Sequence, residues 1–207
     1  MATRPTLVAS PRWVSRLVLG TVLNGVAWMS AWTRTGPLAH YSFFPLWLGF
    51  ILIVDAITEA RSGTSLWRRG RVPFIALFVV SAPFWWYFER LNVRVGNWHY
   101  RTPRPYGTGE YLFWASLAFS TVIPAVLSVT ELLRTFAPDS PSSSGRALQR
   151  LPIPAAIAIF ATGIVTLALS LLFPRQCFPF LWGSLLLILD PIDGLAGEGV
   201  IARARAH

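Results

Sequence analysis

The chain has 207 residues, of which 54% are hydrophobic and only 13% are charged. This composition excludes an ordinary soluble domain, in which about 25% of residues carry a charge, and it predicts that lipid is the main solvent. The sequence contains no lysine, and its 18 arginines outnumber the nine acidic residues to give a net charge of +9. Because these arginines lie mostly between apolar segments, where they set topology and meet anionic headgroups, we predict contact with membrane lipids and no nucleic-acid binding.

Six apolar segments of nearly bilayer-spanning length follow one another along the chain. A bilayer core of about 30 Å is crossed by about 20 helical residues, so each segment is a candidate transmembrane helix. The sequence therefore predicts an all-α integral membrane protein, a single polytopic domain over residues 1–207 with a bundle of about six helices. The predicted limits of the helices are residues 16–33, 42–58, 72–91, 110–133, 151–173 and 177–190.

The distribution of arginine predicts the orientation of these helices. Twelve arginines lie on the side that holds both termini, against six on the other side. Since positive charge accumulates in cytoplasmic loops, both termini are expected in the cytoplasm of an inner membrane. The start of the chain lacks a clear signal-peptide cleavage site, so the first helix is expected to be retained. Residues 137–150 are rich in proline and serine and predict a flexible cytoplasmic linker.

The second and sixth apolar segments share a weak similarity. Trp47 stands eight residues before Asp55, as Trp182 stands eight residues before Asp190, and a Phe-Pro pair lies near the start of both segments. The pattern is typical of a duplicated helical unit in a membrane fold, although apolar sequences also match by chance. In the predicted topology both aspartates lie near the cytoplasmic face.

Asp55 and Glu59 are four residues apart and share one face of the second helix. Two interpretations remain open for them. Either they form a solvated, salt-bridged helix end, or Asp55 faces the bundle interior as an acid or a cation site. The same two interpretations apply to Asp190 and Asp193 at the end of the sixth segment.

The densest group of chemically capable residues lies in 83–100, PFWWYFERLNVRVGNWHY. Trp85 and Trp86 are four and three residues before Glu89, so a continuous helix places two indoles beside one carboxyl. Aromatic faces stabilise cations, and a desolvated carboxyl favours its protonated form. This pattern suits the protonation of a double bond. The alternative is an interfacial aromatic belt with Glu89 paired to Arg90 or Arg94.

Glu110 opens the fourth segment, on the same outer side as Glu89 in the predicted topology. The two carboxyls are therefore expected to converge from neighbouring helices. The alternative for Glu110 is an acid near a helix N-terminus that is favoured by the macrodipole. The single cysteine, Cys177, cannot form an intrachain disulfide, and the spacing of Cys and His predicts no metal site.

Residues 53–131 resemble the lycopene cyclase domain family, the small membrane carotenoid cyclases of bacteria and archaea. The resemblance rests on the acid-tipped helix before Arg71, on WYFERLNVRVGNWHY and on GEYLFWASLAFSTVIPA. Phe88-Glu89 stands where the family has Trp-Asp, and Gly96-Asn97-Trp98 stands at its Gly-x-Trp turn. Glu110 matches one of the acids that open the family's third helix, and Pro124 matches its later proline.

The resemblance implies a membrane enzyme that modifies an isoprenoid or carotenoid by redox-neutral, acid-catalysed cyclisation or hydration. Such an isomerase requires no cofactor, and it would act alone or within a homo- or hetero-oligomer. The expected catalytic residues are Glu89, Glu110 and Asp55, and the expected substrate-binding residues are Trp85, Trp86, Trp98, His99 and Tyr100. Two alternatives remain: a small transporter or channel lined by Asp55, Asp190 and Glu89, and a non-enzymatic membrane subunit.

Overall fold

The computed structural model describes residues 11–36, 39–101, 104–136, 150–196 and 199. Of these residues 82% are helical, and no strand occurs among them, which confirms the predicted all-α class. Six helices in these ranges are long and apolar enough to cross a membrane. Except for Arg150, the predicted linker at 137–150 lies outside the described residues.

The helices, numbered in chain order, correspond closely to the predicted segments. They are α1 (Pro11–Thr33), α2 (Phe43–Ser62), α3 (Leu66–Arg69), α4 (Arg71–Val95), α5 (Thr108–Phe119), α6 (Val122–Arg134), α7 (Ile153–Leu172) and α8 (Pro174–Leu195). The last helix is longer than predicted at both ends. Pro174 lies in its first turn, where no backbone N–H is needed, and Pro191 is accommodated inside the helix, as membrane helices often allow.

Large apolar side chains point outward along the spans. Trp32 is 75% exposed, Val79 68% and Leu172 66%. Exposed apolar surface of this extent is uncommon on a soluble monomer and matches a lipid environment. The chain is therefore a multi-pass membrane protein by the length, composition and surface of its helices.

The predicted fourth segment is one span built from two helices, α5 and α6, with a turn at Ser120 and Thr121. Pro124 lacks an N–H, and its ring clashes with the carbonyl of residue 120, so a regular helix cannot continue through this point. Ser81 of α4 compensates the break: its hydroxyl donates to the Phe119 carbonyl (2.6 Å) and accepts from the Ile123 N–H (3.1 Å). The broken backbone is thereby satisfied where lipid offers no hydrogen bonds.

The chain divides into two compact units. The first contains α1, α2, α3, α4 as far as Phe88, and the segment from Arg101 to the end of α6. The second contains Glu89–Tyr100 together with α7 and α8.

In the first unit α1 and α2 approach closely at two glycines. A Cβ on Gly49 would lie 2.7 Å from the Gly20 carbonyl oxygen and 2.6 Å from the backbone nitrogen of Asn24, so only glycine fits. The Asn24 side-chain amide donates to the Leu46 carbonyl at 3.0 Å. Small residues that allow close backbone approach are typical of membrane helix pairs. Arg16 lies one turn before Gly20. This close packing therefore places the Arg16 side chain against the end of α2.

In the second unit α7 and α8 form a similarly close pair. A Cβ on Gly163 would lie 2.9 Å from the backbone nitrogen of Ile188. The hydroxyl of Ser170 is within hydrogen-bonding distance of the Cys177 carbonyl (3.0 Å), and the Leu151 N–H donates to the Gly194 carbonyl (2.8 Å). These contacts join the two helices at both ends.

Candidate functional site

The loop that follows α4 is ordered by the side chain of Asn92. Its amide oxygen accepts hydrogen bonds from the backbone N–H groups of Asn97 (3.0 Å) and Trp98 (3.3 Å), and its amide nitrogen donates to the Trp98 carbonyl (2.7 Å). Gly96 has a φ of 63°, a left-handed conformation that glycine adopts without strain. The chain consequently folds back and returns Trp98 and Tyr100 to the last turns of α4.

Glu89 lies where these two aromatic side chains return. The Trp98 indole N–H donates to Glu89 Oε1 at 2.8 Å, and the Tyr100 hydroxyl donates to the same oxygen at 2.6 Å. The structure thus brings together three of the predicted site residues, Glu89, Trp98 and Tyr100.

Aromatic side chains of α8 extend this group. The rings of Trp98 and Trp182 are stacked, with centroids 5.6 Å apart and planes 28° apart, and Phe178 lies edge-on to Trp182 at 6.2 Å. We call Glu89, Trp98, Tyr100, Phe178 and Trp182 the Glu89 cluster. Its two α8 members were not predicted as site residues. The only feature of the sequence that had singled out Trp182 was its alignment with Trp47 in the weak similarity of the second and sixth segments. That similarity did not indicate a contact with the loop after α4.

Trp85 and Trp86 lie within the first unit, where they pack against α5. The Trp86 indole N–H donates to the Ser116 hydroxyl at 2.9 Å, and its ring is edge-on to Phe119 at 5.1 Å. The ring of Trp85 lies 6.1 Å from that of Phe119. His99 is exposed. The substrate-binding role of these three residues stays a prediction.

Glu110 lies in the first turn of α5, in the same unit as Tyr41 and Arg104. Arg104 forms an ion pair with Glu110 and also donates to the Tyr41 hydroxyl at 3.0 Å, and Tyr41 stacks on Trp114 with centroids 4.2 Å apart. The hydrogen bonds to Glu110 and Tyr41 raise the pKa of the Arg104 guanidinium, so it remains cationic. The arrangement fits the simpler interpretation of Glu110 as a paired acid near a helix N-terminus. Its convergence with Glu89 stays a prediction.

A buried polar group of the first unit surrounds Asp55, which is 2% exposed. Asp55 Oδ2 accepts a hydrogen bond from the Ser65 hydroxyl (3.0 Å) and lies 3.4 Å from Arg16 Nη1, and Asp55 Oδ1 accepts from the Trp67 backbone N–H (3.1 Å). Ser65, which is fully buried, also caps α3 by accepting from the Arg68 N–H at 3.2 Å. Asp55 therefore holds the connection between α2 and α4 in place.

Glu59, one turn after Asp55, is 3% exposed and carries two ion pairs. Its carboxylate binds Arg16 on one oxygen, and Arg68 Nη1 lies 3.2 Å from the other. We call Arg16, Asp55, Glu59, Ser65 and Arg68 the carboxylate–arginine cluster. The end of α2 is thus salt-bridged, as one interpretation held, but buried, as the other held. A cation at Asp55 would have to compete with Arg16, and the transport role stays a prediction.

Among the described residues no group of three or more His, Cys, Asp or Glu side chains is placed to hold a metal ion. Comparisons of the chain with protein-family models, with curated proteins and with solved structures gave no match.

Proposed function

We propose that the protein is a membrane-embedded enzyme that modifies an isoprenoid chain, such as a linear carotenoid, by redox-neutral proton transfer. One observation supports this proposal above the others. In the Glu89 cluster a carboxyl group lies beside a stacked pair of indoles and accepts hydrogen bonds from an indole N–H and a phenol.

The chemistry starts from the neutral acid form of Glu89. Its proton passes to a carbon of a substrate double bond, which leaves a carbocation on the neighbouring carbon and a carboxylate on Glu89. Trp98 and Tyr100 stabilise that new negative charge through their hydrogen bonds, and the indole faces of Trp98 and Trp182 stabilise the cation. A second double bond attacks the cation and closes a ring, which moves the positive charge to the other carbon of that double bond. Glu89 then recovers a proton from a carbon next to this new cation. The product is an isomer of the substrate, so no oxidant or cofactor enters the balance.

Glu89 carries the proton transfer in this proposal. Asp55 and Glu110, the other predicted catalytic acids, are each in an ion pair with an arginine, and their catalytic role stays a prediction.

The test is expression of the full chain in hosts that accumulate linear carotenoids, with chromatography and mass spectrometry of the extracted pigments. A product of unchanged mass indicates cyclisation, and a product heavier by one water indicates hydration. Glu89→Gln removes the proton donor and is expected to abolish product. Glu131→Gln is the matched control, because Glu131 is a paired carboxyl of α6 with Arg69 and Arg134 as partners. Unaltered pigments in every such host, or full product with Glu89→Gln at equal membrane levels, would refute the proposal.

We also propose that the protein lies in the inner membrane with both termini in the cytoplasm. The support is the excess of arginine on the side of the termini. Fusion of green fluorescent protein or alkaline phosphatase to the C-terminus tests this orientation. Fluorescence without phosphatase activity is expected, and the reverse result contradicts it.

A further inference from the structure

A cavity of about 130 Å³ opens beside the carboxylate–arginine cluster in the first unit. Four arginines line it, together with Glu59 and Trp67; they are Arg12, Arg16, Arg68 and Arg71. A single carboxylate in the lining faces four guanidinium groups. The cavity therefore carries an excess of positive charge and favours an anion.

Two of these arginines have no acidic partner among the described residues. Glu59 pairs with Arg16 and Arg68, whereas Arg12 and Arg71 form no ion pair with any residue in the part of the chain that the structure describes. Both are exposed at the cavity, so their donors are accessible to a ligand. Planar guanidinium groups bind carboxylate and phosphate oxygens in pairs, which makes arginine well suited to phosphate recognition.

A third arginine has an unused donor inside the protein. Arg16 is 7% exposed, and its Nε has no hydrogen-bond partner among the described residues. Its terminal nitrogens are engaged by Asp55 and Glu59. A buried donor without a partner costs free energy, and an anion or water held in the cavity would relieve that cost.

Trp67 fixes the orientation of the cationic side chains. The guanidinium carbons of Arg16 and Arg71 lie 5.7 Å and 5.5 Å from the centroid of its ring. These cation–π contacts hold two of the cavity's charges in place before a ligand arrives. Prior ordering of this kind reduces the entropy that binding must overcome.

The cavity lies at the level where membrane spans end. One candidate span begins at Arg12, the next ends at Ser62, and the third begins at Arg71. Lipid phosphates are found at this depth, and arginines at helix ends commonly contact them. The volume suits a single phosphate group rather than a whole nucleotide.

We infer that this cavity is a binding site for a phosphate group, supplied either by a phospholipid headgroup or by a small soluble phosphate. Arg12 and Arg71 are its accessible ligands, and Arg16 is the buried donor behind them. The site does not depend on the isoprenoid chemistry proposed for Glu89.

The experiment uses the full chain purified in an uncharged detergent, with thermal unfolding followed by tryptophan fluorescence. One arm titrates inorganic phosphate against chloride at equal ionic strength. The other compares nanodiscs of phosphatidylcholine alone with nanodiscs that also contain phosphatidic acid. A ligand that binds the folded state raises the unfolding temperature in a saturable manner.

The variants are Arg12→Gln, Arg71→Gln and their double mutant, with Arg175→Gln as control, because Arg175 is an exposed arginine of α8 outside the cavity. Each single change is expected to weaken binding about tenfold, since each removes a charge-assisted contact, and Arg71→Lys is expected to retain part of the affinity. Saturable stabilisation by inorganic phosphate identifies a soluble ligand, and stabilisation only by phosphatidic acid identifies a lipid. No stabilisation in either arm, or equal stabilisation of the double mutant, overturns the inference.

Discussion

Arg16 of α1 and Glu59 of α2, 43 residues apart in sequence, form an ion pair in which both side chains are at least 92% buried. The same guanidinium lies 3.4 Å from Asp55, so one cation serves two carboxylates on neighbouring turns. Burial of three charges is unfavourable unless they are matched, and here Arg68 adds a second cation beside Glu59. The pair therefore links the first two helices and depends on both of them.

We predict that Arg16→Met destabilises the protein by about 3 to 5 kcal/mol, the usual loss when one partner of a buried ion pair is removed. The measurement is the free energy of unfolding in mixed micelles of dodecylmaltoside and sodium dodecyl sulfate. Arg175→Met, at an exposed arginine of α8, is the control and is expected to change stability by less than about 0.5 kcal/mol. An equal effect of both changes would mean that burial of the pair contributes nothing.

The contact of α1 with α2 yields a second prediction. Gly49→Ala places a Cβ 2.6 Å from the Asn24 nitrogen, so the helices must separate, at a cost of about 1 to 3 kcal/mol. Gly25→Ala is the matched control, because a Cβ there meets nothing within 4 Å and alanine favours the helix. The unfolding temperatures of the two variants should move in opposite directions, and a neutral Gly49→Ala would contradict the close approach.

A third prediction concerns the break between α5 and α6. Ser81→Ala removes the hydroxyl that satisfies the Phe119 carbonyl and the Ile123 N–H, and we expect a loss of about 1 to 3 kcal/mol. Thr130→Ala serves for comparison, since its hydroxyl bonds only a carbonyl of its own helix. Its unfolding free energy should stay within about 0.5 kcal/mol of the wild-type value. Equal losses in the two variants would argue against a special role for Ser81.

A fourth prediction concerns the loop of the Glu89 cluster. Asn92→Ala removes three hydrogen bonds to Asn97 and Trp98, so the loop should open more often while α4 remains folded. Limited trypsin digestion in detergent should then cleave faster after Arg94 and Arg101, which flank the loop. Asn92→Asp keeps the acceptor for the two N–H groups but loses the donor to the Trp98 carbonyl, and an intermediate cleavage rate is expected. Unchanged cleavage in both variants would show that other contacts order the loop.

Much of the Glu89 cluster was accessible from the sequence because its members are close in the chain. Glu89, Trp98 and Tyr100 lie within twelve residues of one another. Phe178 and Trp182 were missed because their ring contacts with Trp98 depend on how α8 packs, and helix packing leaves no signal in local spacing. Similarly, the i, i+4 spacing of Asp55 and Glu59 indicated a shared face but not the identity of the arginine that meets it.

The sequence by itself determined that this is an all-α, multi-pass membrane protein, since each helix satisfies its own backbone hydrogen bonds and needs only a long enough apolar run to cross lipid. It also placed the acids at helix ends. Only the tertiary structure decided which charges meet, because Arg16 reaches Asp55 and Glu59 through the Gly20 and Gly49 contact. That contact is a matter of shape between two helices, and the apolar runs that determine the spans would fit many other pairings equally well.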